Sequence, residues 1–440
     1  MSALMQEHPS ELINVSELRT GMFVELELGW MAHPFPTGSF KITSDRQVEI
    51  IRALGLTQVR YVPSKSDSET DPTHDAPPSN VQITGRTRVP RALVALEESP
   101  RQLRRSKLLD AQRSSMIICE RRFGEAVRQY KQVMSLVETQ PQLAREQCLG
   151  MISDYVGEMS NFGESAIRLL SQGSSERVSL HPVNVTVLSL LLGKAMGLSE
   201  QALLDLGMAA FLHDVGKQLI PERVRSFNPS FTTPEYKLYQ EHVAQGIELA
   251  KRMGLSEGAQ QAIAAHHEMV DGSGFPAHAK GTELAMPGKI LALVNRYENL
   301  CNPSRPGSAL TPHEALSLIF AQLKTRFDSM VMSAFIRMMG VFPPGSIIQL
   351  LDDRYAMVVS VNSSRPLKPR VIVHDPKVPM HEALILDLET APELGIRRSL
   401  KPAALPAESI DYLLPRPRIC YFFEQATDSA ESKRGATAQT

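Results

Sequence analysis

The sequence predicts a mainly α protein, with a helical bundle between a small N-terminal α+β domain and a short C-terminal β extension. Three observations lead there. From about residue 176 to 340, apolar residues recur at helical spacing and helix-capping residues punctuate them. Near the N-terminus, and again after residue 341, the period falls to two, as in half-buried strands. Between the first of these regions and the helices lies a polar stretch that cannot bury a core of its own.

Composition sets the outer bounds. A chain of 440 residues has room for about three domains. With 47 Lys+Arg against 48 Asp+Glu, its net charge of −1 gives no general attraction to nucleic-acid polymers or anionic membranes. The best apolar run, residues 185–198, is broken by Lys194 and falls short of the roughly 18 residues a span needs, so no membrane span is expected. Cys119, Cys148, Cys301 and Cys420 show neither disulfide nor metal-binding spacing, and the N-terminus lacks the basic and apolar regions of a signal peptide. A reduced, cytoplasmic protein is the expectation.

Taken in order, residues 10–63 form the α+β domain. Residues 22–28 alternate as a strand; Ser44 opens a helix with Gln47 three residues on, Val48, Ile51 and Leu54 share one face, and Gly55 ends it. Residues 58–62 read as a further strand. Residues 64–90, polar and holding Pro77–Pro78, read as a linker. Residues 91–175 read as a helical connector whose Arg-rich segment 101–105 is a solvated face, lacking interleaved aromatics. Within 176–340, helices are expected from Ser199 to His213, from Thr233 to Met253 before Gly254, from Ser256 to His266–His267, over 288–300, and from Thr311 to Phe327. Residues 341–426 form the β extension, with a hairpin around Asp352–Asp353 and a strand at 370–373; residues 427–440 read as a frayed tail.

Six of the twelve histidines, His181, His213, His242, His266, His267 and His278, crowd into about 100 residues of the helical region. Histidine is the commonest metal ligand. His213–Asp214–Val215–Gly216–Lys217 falls where a helix ends, so neighbouring side chains can aim at one point. His242 lies within a helix with Gly246 one turn on, where a small residue admits a neighbouring backbone. His266–His267 end another helix and lead into Glu268 and then Asp271–Gly272–Ser273–Gly274–Phe275–Pro276. Nitrogen and oxygen donors from several helices meeting inside a bundle are a common way to build di-metal sites, and a set without thiolates suits Fe or Mn. His278 reads as a surface loop residue.

These two motifs carry a resemblance. Residues 176–340 resemble the HD-GYP domain, a branch of the HD metal-dependent phosphohydrolases, with Gly-Phe-Pro in place of Gly-Tyr-Pro. Residues 10–63 resemble the small domain of unknown function found ahead of HD-GYP domains, and the stretch after 341 resembles their β extension. The resemblance implies an HD-type bundle and a bacterial phosphodiesterase that hydrolyses cyclic di-GMP to pGpG or GMP. It implies two divalent metal ions, Fe or Mn, held by His181, His213, Asp214, His242, His266 and His267, with Asp214 bridging. Lys217 would contact a phosphate oxygen, Gly272, Gly274, Phe275 and Pro276 would form a loop against the ligand, and Arg305 would bind substrate. The same loop is implicated in contacts with diguanylate cyclase (GGDEF) domains. The helices of 92–172 are the candidate surface for a homodimer.

The sequence departs from the family at three points. Asn295 stands where a further metal-ligating Asp is usual, offering one neutral oxygen instead of a carboxylate, while Glu298 keeps a charge three residues on. Arg305–Pro306–Gly307 lacks the aromatic of the family's Arg-Pro-Tyr. Arg177 occupies the position at which three-metal members carry Glu, and Glu176 is one residue out of register. The leading expectation is therefore a cyclic di-GMP phosphodiesterase. The alternative is a degenerate cyclic di-GMP sensor or protein-interaction module; an HD phosphohydrolase acting on ordinary nucleotides ranks third.

Overall fold

The computed structural model describes residues 10–26, 39–53, 56–66, 100–161, 164–171, 177–362, 365–391 and 393–425. It divides into two compact units, residues 1–94 and 95–440.

In the first unit, β1 (Glu11–Asn14), β2 (Phe23–Glu25), β3 (Ser39–Lys41) and β4 (Gln58–Tyr61) form an antiparallel sheet in the order β1-β4-β2-β3. Helix α1 (Asp45–Ala53) covers it, and Val48 and Ile51 join Val24, Ile42 and Val59 in the core. The reach-back of Gln47 ends on Thr43, whose N–H and hydroxyl donate to its Oε1 at 2.7 and 3.1 Å, so the predicted box closes one residue early. Leu54, Gly55, residues 27–28 and most of the predicted linker lie outside the described residues.

The second unit begins with a helical hairpin, α2 (Pro100–Leu136) and α3 (Pro141–Asn161). The expectation of a connector here is corrected. Phe123, Tyr130 and Ile152 belong to the same apolar core as the bundle, and Tyr130 meets Phe211 edge-on at 5.2 Å. The chain then forms β5 (Ser165–Leu169), whose Ile167 pairs with both Val361 and Phe423. Such long-range pairing has no local signature, which is why five residues of strand passed for part of a helical region.

The bundle follows: α4 (Arg177–Ala195), α5 (Glu200–Leu212), α6 (Thr233–Met253), α7 (Glu257–Ala265), α8 (Met286–Cys301), α9 (Pro312–Gln322) and α10 (Ser329–Met339). Ser199, Ser256 and Thr311 cap their helices as expected, each hydroxyl accepting a backbone N–H three residues on. Thr232 rather than Thr233 caps α6, in a reciprocal box with Glu235. The helix expected from Thr311 to Phe327 stops at Gln322; Asp328 then caps a separate α10, accepting from Met330 and Val331 N–H. Residues 178–195 of α4 are, by length and composition, apolar enough to cross a membrane, contrary to the expectation of none. That apolarity is spent inside the bundle, where 83% of the segment is buried.

Strands β6 (Ile347–Leu350), β7 (Tyr355–Asn362), β8 (Arg370–Val373), β9 (Leu386–Asp387), β10 (Ile396–Leu400) and β11 (Tyr421–Gln425) follow, with α11 (Ala407–Leu413) before the last. With β5 they form a seven-stranded antiparallel sheet, β10-β6-β7-β5-β11, in which β8 also pairs with β7 and carries β9. The β extension is thus completed by a strand from ahead of the bundle.

Candidate metal centre

Five histidines and one aspartate meet in the bundle interior. His181 lies in the first turns of α4, His213 caps the C-terminus of α5, His242 sits inside α6, and His266 and His267 follow α7. Asp214 occupies the turn between α5 and a 3₁₀ segment, Val215–Gln218, in the bridge region of backbone space at φ −96°, ψ 7°.

The ring nitrogens are sorted by their second partners. Nδ1 of His213 lies 2.8 Å from the Ala210 carbonyl, Nδ1 of His266 lies 2.6 Å from that of Ile263, and Nδ1 of His242 contacts that of Tyr239. Carbonyls only accept, so each Nδ1 carries the hydrogen and each Nε2 of a neutral ring is left with a lone pair. Those Nε2 atoms are aimed at one another. His181 and His213 approach to 3.1 Å, and His242 and His266 to 3.2 Å. Burial, its largest cause, lowers the pKa of His181, His242, His266 and His267, His242 to about 4, so near neutrality these rings stay uncharged.

Asp214 stands between the two pairs. Its Oδ2 is 3.4 Å from His213 Nε2 and 3.8 Å from His181 Nε2; its Oδ1 is 3.8 Å from Nε2 of both His242 and His266. Burial raises the pKa of this carboxyl, but Lys217, His213 and His181 outweigh that and hold it well below the usual range. Lys217 Nζ is 2.6 Å from Oδ2, whereas Oδ1 is buried without a hydrogen-bond partner. Facing lone pairs and an orphaned carboxylate oxygen are stable together only around cations. Two donor groups satisfy that demand: His181, His213 and Asp214, and Asp214, His242, His266 and His267. The residues present fit divalent metal ions.

Close backbone approach builds this arrangement. A Cβ on Gly216 would lie 2.0 Å from the His242 carbonyl and 2.4 Å from Gly246 N, so the His-Asp turn can rest on α6 only through a glycine. Gly274 is equally constrained, a Cβ there falling 2.4–2.5 Å from backbone atoms of His267, Glu268 and Met269. Glu268 anchors the following loop by accepting Ala277 N–H at 2.6 Å and Ala279 N–H at 3.0 Å, and the Phe275 ring stacks on His267 at 4.5 Å.

The centre opens into a cleft of about 580 Å³. Of the sequence-predicted residues, His266, His267, Lys217, Gly274, Phe275, Asn295 and Arg305 line it, whereas Gly272 and Pro276 shape the loop without lining the cleft. Asn295 donates weakly to the His266 carbonyl at 3.4 Å, and its Oδ1 accepts from Asn299 Nδ2 at 2.7 Å. Glu176 and the Arg177 side chain lie outside the described residues.

Sequence reasoning gave no site role to the support beneath His181. Glu298 receives His181 Nδ1 and is itself held by Asn184 Nδ2 at 3.1 Å and Asn302 Nδ2 at 2.8 Å. Both asparagines also donate to the Ile419 carbonyl at 2.8 Å, tying the C-terminal chain to the wall of the centre. The only sequence sign was helical spacing, with Asn302 at the C-terminal cap of α8 one turn after Glu298, and Asn184 one turn after His181. Replacing Glu298 by Ala strands the buried His181 donor and weakens both asparagine contacts, at a cost of about 3 kcal/mol. Urea unfolding of the Glu298→Ala variant measures it, and an unchanged midpoint would refute this account of the support.

A helical bundle that brings five histidines and an aspartate to one point is suited to holding divalent metal ions. Residues 151–331 match the family model for the HD domain, and residues 11–148 match that of a domain of unknown function, DUF3391. A cyclic di-GMP phosphodiesterase of Pseudomonas aeruginosa is 26% identical over 367 residues, covering 82% of this chain and 84% of that protein. One of Borreliella burgdorferi is 22% identical over 192 residues, 44% of this chain and 51% of its own. A 3'3'-cGAMP-specific phosphodiesterase of Vibrio cholerae is 30% identical over 131 residues, 29% of this chain and 25% of its own. Among solved structures, an HD-GYP-type protein of Bdellovibrio bacteriovorus aligns over 74% of this chain and 98% of its own, at 14% identity and a TM-score of 0.42. The chain thus carries an HD domain over residues 151–331, with a DUF3391 domain ahead of it.

Proposed function

We propose that this protein is a metal-dependent phosphodiesterase that hydrolyses cyclic di-GMP to pGpG, GMP or both, in bacterial second-messenger signalling in the cytoplasm. The observation that carries this is the pair of facing Nε2 groups with one Asp214 oxygen turned to each, at the floor of an open cleft. The relatives named for cyclic di-GMP support the choice of substrate.

His181, His213 and Asp214 would hold one Fe or Mn ion, and Asp214, His242, His266 and His267 a second. Bound there, divalent ions supply Lewis acidity, neutralising phosphodiester charge and acidifying water. The chain's own residues do the rest. Asp214, kept ionised by Lys217, brings the negative charge the imidazoles lack. Lys217, at the cleft's edge, carries a point charge for a non-bridging phosphate oxygen. Phe275 closes the His267 side against water, and Arg305 on the cleft wall is placed for substrate. Because the Phe275 ring is committed to His267, the loop fits a substrate wall better than a docking site for GGDEF domains.

The test is turnover of cyclic di-GMP by protein loaded anaerobically with Fe(II) or Mn, followed by chromatography of the linear products. No turnover, combined with measurable binding, would transfer the protein to the sensor reading. That second reading has a specific observation in its favour, since Asn295 is neutral and its Oδ1 already accepts from Asn299. The Asn295→Asp variant is expected to raise metal content by elemental analysis; unchanged content would mean that position 295 does not serve the ions.

A further inference from the structure

Two guanidinium groups in the cleft have no role in the chemistry above. Arg296 follows Asn295 on α8, and Arg326 ends the 3₁₀ turn Lys324–Arg326 between α9 and α10. Both line the cleft with the metal-centre residues His266 and His267. The Arg326 backbone is fixed there, since its carbonyl accepts Val270 N–H at 2.9 Å from the loop that follows His267.

Neither side chain has an acidic partner in ion-pair or hydrogen-bond contact among the described residues. Asp271 lies close enough to feel the charge of Arg326, yet its carboxylate is engaged by the N–H and hydroxyl of Ser273 at 2.9 and 2.6 Å. Both side chains are exposed on the cleft wall, and partial desolvation there together with the neighbouring Arg326 lowers the proton affinity of Arg296, so the two like charges act on each other. With Arg305 they give the cleft three arginines beside Lys217, and Phe227, Tyr236 and Phe275 give it aromatic faces. Like charges gathered on the wall of a concave site focus a positive potential there, which favours an anion. The guanidinium fork matches two phosphate oxygens at once.

We propose that Arg296 and Arg326 form a second anion subsite, which holds the phosphodiester of the cyclic dinucleotide that is not being cleaved. This rests on the proposed function and extends it. A cyclic dinucleotide carries two phosphodiesters; with one at the metal centre, the other enters the cleft and needs charge on its wall. The subsite thereby selects a dinucleotide over a simple phosphodiester.

The experiment measures cyclic di-GMP binding by calorimetry for the metal-loaded wild type, Arg296→Gln, Arg326→Gln and the double variant. Turnover of bis(p-nitrophenyl) phosphate, a small diester with one phosphate, monitors the centre itself. Each single variant is expected to raise Kd about tenfold, and the double variant further, with a shallower salt dependence of binding. Small-diester turnover should stay within about twofold of wild type, which also reports a correctly folded centre. Arg296→Lys should fall between, keeping the charge but losing the fork. Cyclic di-GMP binding by wild type that all the Gln variants retain would overturn the subsite while leaving the proposed function standing. A wild type that binds no cyclic di-GMP would overturn both.

Discussion

Asp214→Ala is expected to remove the metal ions and abolish cyclic di-GMP turnover, by roughly a thousandfold or more, while the helical circular dichroism remains. The geometry makes this residue unequal to its neighbours. Each histidine contributes one nitrogen to one half of the centre; Asp214 turns Oδ2 to His181 and His213, and Oδ1 to His242 and His266. Without it, imidazoles, which bring no negative charge, would have to hold the divalent cations, and Lys217 would add a positive charge without its partner. Asp214→Asn separates charge from shape, since it keeps the volume and one oxygen; it too should lose metal by elemental analysis. Full metal retention in either variant would overturn the bridging role.

Gly216→Ala is expected to destabilise the second unit by on the order of 4 kcal/mol, lowering Tm by roughly 10 °C. The added methyl would fall 2.0 Å from the His242 carbonyl and 2.4 Å from Gly246 N, atoms of a helix backbone with no rotamer to escape into. Relief requires the His-Asp turn to lift off α6, which separates His213 and Asp214 from His242, so metal content should fall with stability. Gly246→Ala is the control. Its added methyl meets nothing nearer than 3.5 Å, so that variant should melt close to wild type although both glycines belong to the same contact. Thermal unfolding of the two variants checks the contrast; equal melting temperatures would show that the crossing is looser than described.

Much of the centre was legible because its motifs are local. His213–Asp214, Gly216 and His266–His267 each sit at a helix end, where capping residues such as Ser199 and Ser256 set the boundaries. The β6–β7 hairpin was legible for the same reason, being a contact between neighbours in the chain. What escaped depends on distant partners. Strand β5 exists because Val361 and Phe423 flank it, nearly 200 and more than 250 residues later. The apolar run of α4 is a buried bundle core only because other helices cover it.

The sequence by itself determined the chemistry available: histidines with one carboxylate and a lysine, no thiolates, and glycines where backbones must touch. Tertiary structure alone decided how that chemistry is sorted. It engaged the Nδ1 atoms of His213, His242 and His266 with carbonyls and so turned their Nε2 lone pairs inward; it placed Glu298, Asn184 and Asn302 beneath His181; it brought Arg296 and Arg326 from separate elements onto one wall. The physical reason is that residue type fixes which atoms can donate or accept, whereas partner and direction come from backbone groups and helices that only folding brings within reach.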